Sequence, residues 1–523
     1  MLVYGDHTET VGTREQVARI QGELDRVTWL PVGIARHAYL VEALIETGRL
    51  LQGVADAGAA SRELDNFLYQ LAQAFVRSLE SHFAEIGALP ELPELDLPVH
   101  VDLRQPEGFA FYAVYPEAYV AAARELTLSG PPRVIGIRSI GTTLGAVVAA
   151  ALDAPPAATV RPVGDPFART VELPPQILQA EAHYVVVDEG PGLSGSSFGA
   201  VADWLQDHGV PLERIAFVAS HGGDLGPQAS PAHQHRWGRA QRVAARFEPS
   251  FLERDFGPLA RFSTGSSGER LKYIGSRKGQ RVLLKFSGSG AIAGRKLDMA
   301  RSLHAAGFTP EPLGLLHGFL VERWREDGRP LKCNDVPVEE IGRYIGARAR
   351  LFPAPDASGA TIEQLLEMCR RNIAVGLGEM SAAALDCWDP ARLQARVCRV
   401  RTDNKLDREE WLRLGGGRLL KTDALDHHQA HDLIGCQDAA WDLAGAAIEF
   451  DLKLQATERL IVATGLVVDA KLLAFYLQAY CAFRMGHAAL AGDQRRSERY
   501  AERLQVLLHQ HYRLGTRHES LVD

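Results

Sequence analysis

The stretch from Tyr184 to Phe198, YVVVDEGPGLSGSSF, gathers residue types that can handle a phosphorylated sugar. Strand-forming residues lead into Asp188 and Glu189. Gly190, Pro191 and Gly192 follow, and then Ser194, Gly195, Ser196 and Ser197. The run from Ala200, AVADWLQDHG, has the composition of a helix. The first turn of a helix leaves N–H groups unpaired and carries partial positive charge, so a hydroxyl-rich loop in front of it can cradle a phosphate. Two carboxylates beside that loop can hold a ribose diol or its Mg²⁺. An ordinary strand–loop–helix that binds another phosphate, or none, fits the same letters.

A second loop lies upstream. Pro132 to Leu152, PRVIGIRSIGTTLGAVVAAAL, reads as a strand (Val134 to Ile137), a loop (Arg138 to Thr143) and a helix of small residues. Gly141 permits close backbone approach. Arg138 offers a guanidinium fork to a pyrophosphate. Between the loops, Arg161 to Arg169 (RPVGDPFAR) adds two arginines that can meet phosphates, or forms a surface turn on Pro162, Gly164 and Pro166. A further strand, Arg214 to Ser220, runs into His221.

Together these segments, over residues 98 to 228, resemble type I phosphoribosyltransferases, which use 5-phosphoribosyl-1-pyrophosphate (PRPP). The resemblance implies that Asp188 and Glu189 engage the ribose hydroxyls and the oxocarbenium-like centre. Ser194, Gly195, Ser196 and Ser197 would hold the 5-phosphate. Arg138, Ser139, Gly141 and Thr142 would meet the departing pyrophosphate, with Mg²⁺ accompanying PRPP. Two departures stand out: four residues, not the family's usual three, separate the acids from Ser194, and serine replaces the commoner threonine.

The second half carries a different set. Phe262 to Gly268 (FSTGSSG) reads as a Gly/Ser turn between short strands, and Arg270 to Gly288 as strand, turn and strand, with Lys285 near the end. A helix (Arg295 to Ala306) and an apolar strand ending at Leu320-Val321-Glu322-Arg323-Trp324 follow. Then come Arg401-Thr402-Asp403, Asp423 twenty residues later, and Asp438 with Asp442 in GCQDAAWDLAGAAIEF. This order resembles the kinase-like fold, in its aminoglycoside and choline phosphotransferase branch, over residues 258 to 515. The resemblance implies that Lys285 touches the ATP phosphates and that Glu322 lies in the hinge beside the adenine. Asp403 would orient or deprotonate the attacking hydroxyl, and Asp423 would hold Mg²⁺. Arg401 stands where the branch has His. Arg408 stands where it has a metal-binding Asn, so either Asn404, Glu409 or Glu410 substitutes or the second metal is absent. Asp298 is the nearest acid to a glutamate partner for Lys285. His427 and His431, four apart, could share zinc on a helix, but surface or substrate-binding histidines fit equally.

The elements that must position these residues divide the chain into four. Residues 1–97 read as a helical segment, with apolar residues at three- and four-residue spacing. Residues 98–228 alternate strand and helix as a parallel α/β sheet does, with Val99 to Leu103 and Ala110 to Val114 as its first strand candidates. Residues 229–257 read as a turn-rich, basic linker. Residues 258–523 form the α+β, two-lobed kinase-like part. An apolar content of 46% and a charged content of 23% are globular values, and 523 residues allow about three domains. The net charge of −8 argues against a nucleic-acid binder. No membrane span, no signal-like start and no Cys-x-x-Cys pair lead to the expectation of a cytoplasmic protein with reduced thiols, with homo-oligomers possible. The combined expectation is a bifunctional enzyme using PRPP, ATP, Mg²⁺ and an unidentified small-molecule acceptor on consecutive steps of one metabolite. The alternative is a regulatory protein that senses nucleotide or PRPP through degenerate sites.

Overall fold

The computed structural model describes residues 8–519 apart from 193, 227, 264–269, 333 and 430–433, with side chains to 509. Strand β1 (Thr8–Gly12) opens the chain, followed by helices α1 (Thr13–Trp29), α2 (Ile34–Asp56) and α3 (Arg62–Glu80). Ser61 caps α3 by accepting from the Leu64 N–H. Strand β2 (His100–Arg104) pairs antiparallel with β1, so the Val99–Leu103 candidate belongs to a two-stranded ribbon and not to the parallel sheet. The Ala110–Val114 candidate is not a strand. Its first part belongs to the short helix α4 (Glu107–Phe111), and Ala113 turns the chain at φ +52°. Helix α5 (Pro116–Arg124) follows, with proline in its first turn.

The central sheet is wholly parallel. Strand β3 (Pro132–Ile137) leads into α6 (Ile140–Ala151), β4 (Ala158–Val160), the hairpin β5 (Val163–Asp165) with β6 (Ala168–Thr170), and β7 (His183–Val187). Helix α7 (Ser196–Asp207), β8 (Ile215–Ala219), α8 (Pro231–Arg239) and β9 (Gln241–Ala244) complete it. The order is β4-β3-β7-β8-β9. Strands buried on both faces read as unbroken apolar runs, and His183–Val187 is buried throughout. Val185 and Val187 pack towards α6 and the N-terminal helices, whereas Tyr184 and Val186 pack towards α7 and Trp237. The first three helices therefore complete one face of the sheet. The segment 229–257, read from sequence as a linker, carries α8, the edge strand β9 and helix α9 (Ser250–Phe256).

Strands β10 (Ala260–Arg261), β11 (Lys272–Arg277) and β12 (Gln280–Phe286) begin a second sheet. Helix α10 (Ala291–Ala305) crosses to β13 (Pro312–Leu316) and β14 (Phe319–Arg323), giving the antiparallel order β10-β11-β12-β14-β13. The FSTGSSG turn lies outside the described residues from Thr264 onward. After β15 (Arg329–Pro330) the chain is mainly helical: α11 (Val338–Leu351), α12 (Ile362–Leu377), α13 (Glu379–Ala383) and α14 (Pro390–Gln394). Short strands β16 (Arg399–Val400), β17 (Trp411–Arg413), β18 (Leu419–Lys421) and β19 (Gln437–Asp438) precede α15 (Ala439–Glu449), α16 (Leu454–Thr464), α17 (Ala470–Leu490) and α18 (Gln494–Glu519). Thr361 and Gln364 close a reciprocal capping box on α12.

The two halves interlock. Ser289 N–H donates to the Phe109 carbonyl at 2.8 Å, and Tyr115 Oη donates to the His317 carbonyl at 2.7 Å. Glu117 Oε1 lies 3.0 Å from His37 Nε2 and 2.6 Å from His317 Nε2, tying α2, α5 and the β13–β14 turn together. No helix among the described residues is long and apolar enough to cross a membrane.

Candidate functional site

The strand order changes direction between β3 and β7: β4 follows β3 on one side, and β7 returns on the other. Open α/β sheets bind ligands outside the carboxyl ends of strands at such a switch point. A cleft of about 570 Å³ opens there, lined among others by Arg138, Ser139, Arg161, Arg169, Asp188, Glu189 and Ser197. The sheet thus brings together the two loops that the sequence singled out, and the β5–β6 hairpin delivers the two arginines between them.

Burial lifts Asp188 to about 7, and burial together with the Asp188 charge lifts Glu189 to about 8. Two adjacent carboxyls with few ionic partners are poised to gain from a cation or a diol. Glu189 is aimed by the Gly108 N–H at 2.9 Å, and Tyr119 Oη donates to the Asp188 carbonyl at 2.8 Å. Arg138 and Arg161 meet at Asp56, the last residue of α2. Arg138 Nη1 donates to it at 3.0 Å, and Arg161 adds a close pair. Burial opposes ionisation of Asp56, but the two guanidiniums outweigh it and hold its carboxyl below the ordinary range. Asp56 was not singled out in the sequence, because nothing local to Asp56 marks a residue whose partners lie about a hundred positions away.

The other loop residues divide. Ser197 faces the cleft. Ser194 and Ser196 instead donate to the Pro166 carbonyl, at 3.1 and 2.6 Å, and so pin the hairpin to the loop. Gly195 starts α7 in the left-handed region at φ +63°. Gly141 and Thr142 are buried below the cleft, where an added Cβ at Gly141 would sit 2.6 Å from the Val187 carbonyl oxygen. The hydroxyl and backbone cradle inferred for these residues is therefore narrower in the structure, reduced to Arg138, Ser139, Ile140, Gly190, Gly192 and Ser197 along the wall.

In the second half, Lys285 on β12 is buried, with Nζ 2.8 Å from Asp423 Oδ1 and 3.1 Å from the Thr422 carbonyl. Burial works against its charge, but Asp423 and Glu322 hold it above its ordinary value. Glu322 does not lie at an open hinge. It is buried within β14, between β12 and β13, and burial raises its pKa despite the charge of Lys285. Phe319 to Glu322 are all buried because β14 lies between two strands and is covered on both faces. Asp298 is exposed and pairs with Arg301. The buried charged residue on α10 is Lys296, 3.2 Å from Asp426.

Asp403 is fully buried. Tyr344 donates to it closely, Lys421 Nζ lies at 3.4 Å, and His427 Nδ1 at 3.1 Å. Lys421 also donates to Glu410 at 2.7 Å. Burial would push His427 down, but Asp403 and Asp423 beside it hold it at about 9. Asp442 accepts from the Asp403 and Asn404 N–H groups at 2.8 and 2.9 Å, and Asp438 caps α15. Asn404 braces the His427 and Gly435 carbonyls, Glu409 is exposed, and Arg408 reaches the Asp335 carbonyl. Sequence reading missed Tyr344 and Lys421, which come from elements that carry no motif. His431 lies outside the described residues, so the shared zinc has no structural description.

The donor set near Asp423 suits a divalent cation. Glu410, Asp423 and His427 each place one ligand atom within 4.8 Å of the others. The Lys285–Asp423 contact lacks hydrogen-bond alignment, which leaves the buried Oδ1 without a directed donor. The Glu410 and Asp423 oxygens match Mg²⁺, whereas His427, held cationic by the carboxylates around it, would have to lose its proton to join them.

No protein-family model matches the chain, and no curated protein matches it. Among solved structures it is similar to choline kinase LicA from Streptococcus pneumoniae, at 14% identity and TM-score 0.36, over 49% of this chain and 97% of that one. Macrolide 2'-phosphotransferase MphH from Brachybacterium faecium gives 14% and 0.33, over 48% and 93%. A choline kinase from Cryptosporidium parvum gives 11% and 0.34, over 51% and 93%. Likenesses of this size decide nothing about activity or substrate.

Proposed function

We propose that the chain is a two-site transferase, with a PRPP-dependent phosphoribosyl-transfer cleft at the β3–β7 switch point and an ATP-dependent small-molecule phosphotransfer site around Lys285, Asp403 and Asp423. The observation that carries the first site is the convergence of Arg138, Arg161, Arg169, Asp188, Glu189 and Ser197 on one cleft. On this reading the arginines bind pyrophosphate, and Asp188 with Glu189 faces the ribose hydroxyls. The bond from ribose C1 to the pyrophosphate oxygen breaks with its electron pair on pyrophosphate. The acceptor nucleophile bonds to C1 and gives up its proton. Positioning and charge neutralisation supply most of the rate.

At the second site Lys285 holds the ATP phosphates and Asp423 would hold Mg²⁺, which when bound neutralises charge on those phosphates. The acceptor oxygen bonds to the γ-phosphorus, the bond to the β–γ bridging oxygen breaks, ADP leaves, and the hydroxyl proton passes to Asp403. This requires Asp403 to exchange its Lys421 and His427 contacts for the hydroxyl. The full burial of Asp403 favours a second reading for this half, a nucleotide sensor without turnover.

The test is incubation of the full chain with PRPP–Mg²⁺ or ATP–Mg²⁺ and a small-molecule extract, with mass spectrometry of products. Pyrophosphate release abolished by Asp188→Asn, and ADP release abolished by Asp403→Asn, are the expected results. Nucleotide binding without ADP release selects the sensor. No pyrophosphate release with any extract refutes the transferase reading.

A further inference from the structure

A second cavity, of about 390 Å³, lies between the N-terminal helices and the helical lobe. Its lining holds the guanidiniums of Arg19, Arg49, Arg295 and Arg401 against one carboxylate, Glu9. Arg49 and Arg19 share Glu46 behind the wall, at 2.9 and 3.9 Å. Among the described residues no hydrogen bond or close ion pair holds the side chains of Arg295 and Arg401, although Glu9 and Glu46 attract the Arg295 charge from a distance. His428 lines the same cavity at 3% exposure, and both its ring nitrogens lack a partner. A buried imidazole with two unsatisfied nitrogens and two unpaired guanidinium forks beside it form an incomplete hydrogen-bonding set, which an oxyanion completes.

The cavity adjoins the phosphotransfer residues. Arg401 precedes Asp403 by two positions, and His428 follows His427, whose Nδ1 lies 3.1 Å from Asp403. It also adjoins the first cleft, because Gln105 lines both cavities and its Oε1 is buried without a partner.

We propose that this cavity binds the phosphate of the acceptor molecule, so that the hydroxyl compound phosphorylated near Asp403 is itself a phosphate monoester. The proposal rests on the phosphotransferase reading of the second half. Arg401 and Arg295 grip the phosphate oxygens, and the two unpartnered ring nitrogens of His428 face the ester and its sugar. Transfer from PRPP yields a product that keeps a 5-phosphate. Glycosyl transfer from PRPP is therefore the class of reaction that would supply this acceptor, across the partition formed by Gln105.

The test is calorimetric titration of ribose 5-phosphate and of ribose into the full chain, with ATP–Mg²⁺ titrated separately, in wild type, Arg401→Gln, Arg401→Lys, Arg295→Gln and Arg138→Gln. Ribose 5-phosphate is expected to bind in two events and ribose in none. Arg401→Gln and Arg295→Gln should each weaken one event at least tenfold, Arg401→Lys by less, and Arg138→Gln only the other event. Thermal melts recorded alongside show that the variants fold. Two events that survive both Arg401→Gln and Arg295→Gln, or equal binding of ribose, overturn the proposal. ATP binding without the Arg401-dependent event overturns the cavity assignment alone. The Arg401-dependent event without ATP binding overturns the acceptor role and the phosphotransferase reading with it.

Discussion

On the proposed function two residue clusters carry the chemistry, and their protonation gives each a measurable signature. Asp188 and Glu189 titrate near 7 and 8 because burial disfavours their charge. PRPP–Mg²⁺ selects the ionised acids, so its affinity should rise between pH 6 and 9. Titrations at several pH values check this, and Asp188→Asn should flatten the profile. His427 behaves in the opposite sense. Its folded value of about 9 lies above the unfolded value of about 6.5. The stability it contributes is complete below pH 6.5 and is lost as pH rises through 9. Urea unfolding of wild type and His427→Asn should therefore differ most at pH 6.5 and converge by pH 9.5. A constant difference across that range would remove the charged imidazole from the account.

At the scale of elements, close backbone approach positions the first cleft. Gly141 opens α6 against the Val187 carbonyl at the end of β7, and a methyl group there must push the two loops apart. Gly141→Ala should destabilise the chain by about 1–3 kcal/mol, as overpacking does. It should also weaken PRPP binding, because Arg138 and Asp188 sit on the displaced loops. Denaturant melts and calorimetry together test this, and unchanged values for both contradict it. The sheet was legible because Val134–Ile137 and Tyr184–Val187 are unbroken apolar runs followed by glycine-bearing loops. The Ala110–Val114 stretch misled for the same reason. Ala110, Phe111 and Ala113 are buried against the second half, through contacts such as Arg270 Nη1 to the Phe111 carbonyl at 3.3 Å, and local pattern does not separate a buried turn of helix from a strand. Strand β9 was hidden by the arginines around it, which sit on a sheet edge. The roles of Ser194 and Ser196 were misread because a hydroxyl that braces a hairpin and one that binds phosphate have the same sequence. The order of Lys285, Asp403 and Asp423 pointed to one cluster, and a 2.8 Å contact joins Lys285 to Asp423. Their buried partners Tyr344, Lys421 and His427 were not legible, because their roles exist only once three elements have met.

The whole molecule is joined by contacts between segments far apart in sequence. Glu117 holds His37 and His317 from two other segments, and removing an acceptor that leaves buried donors unpaired costs about 1–3 kcal/mol. Glu117→Ala should convert a single thermal transition into two, resolved by calorimetry. A single unshifted transition would mean that the halves do not depend on this junction. The first cleft and the arginine-lined cavity also meet, at Gln105. On the proposed function one chain holds two independent phosphate-handling sites. The most direct measurement of this is titration of PRPP–Mg²⁺ and ATP–Mg²⁺ into wild type, Asp188→Asn and Asp423→Asn. The account requires both ligands to bind wild type, with Asp188→Asn weakening only PRPP and Asp423→Asn weakening only ATP, each at least tenfold. Failure of both ligands to bind wild type, or a single variant that abolishes both, would contradict it.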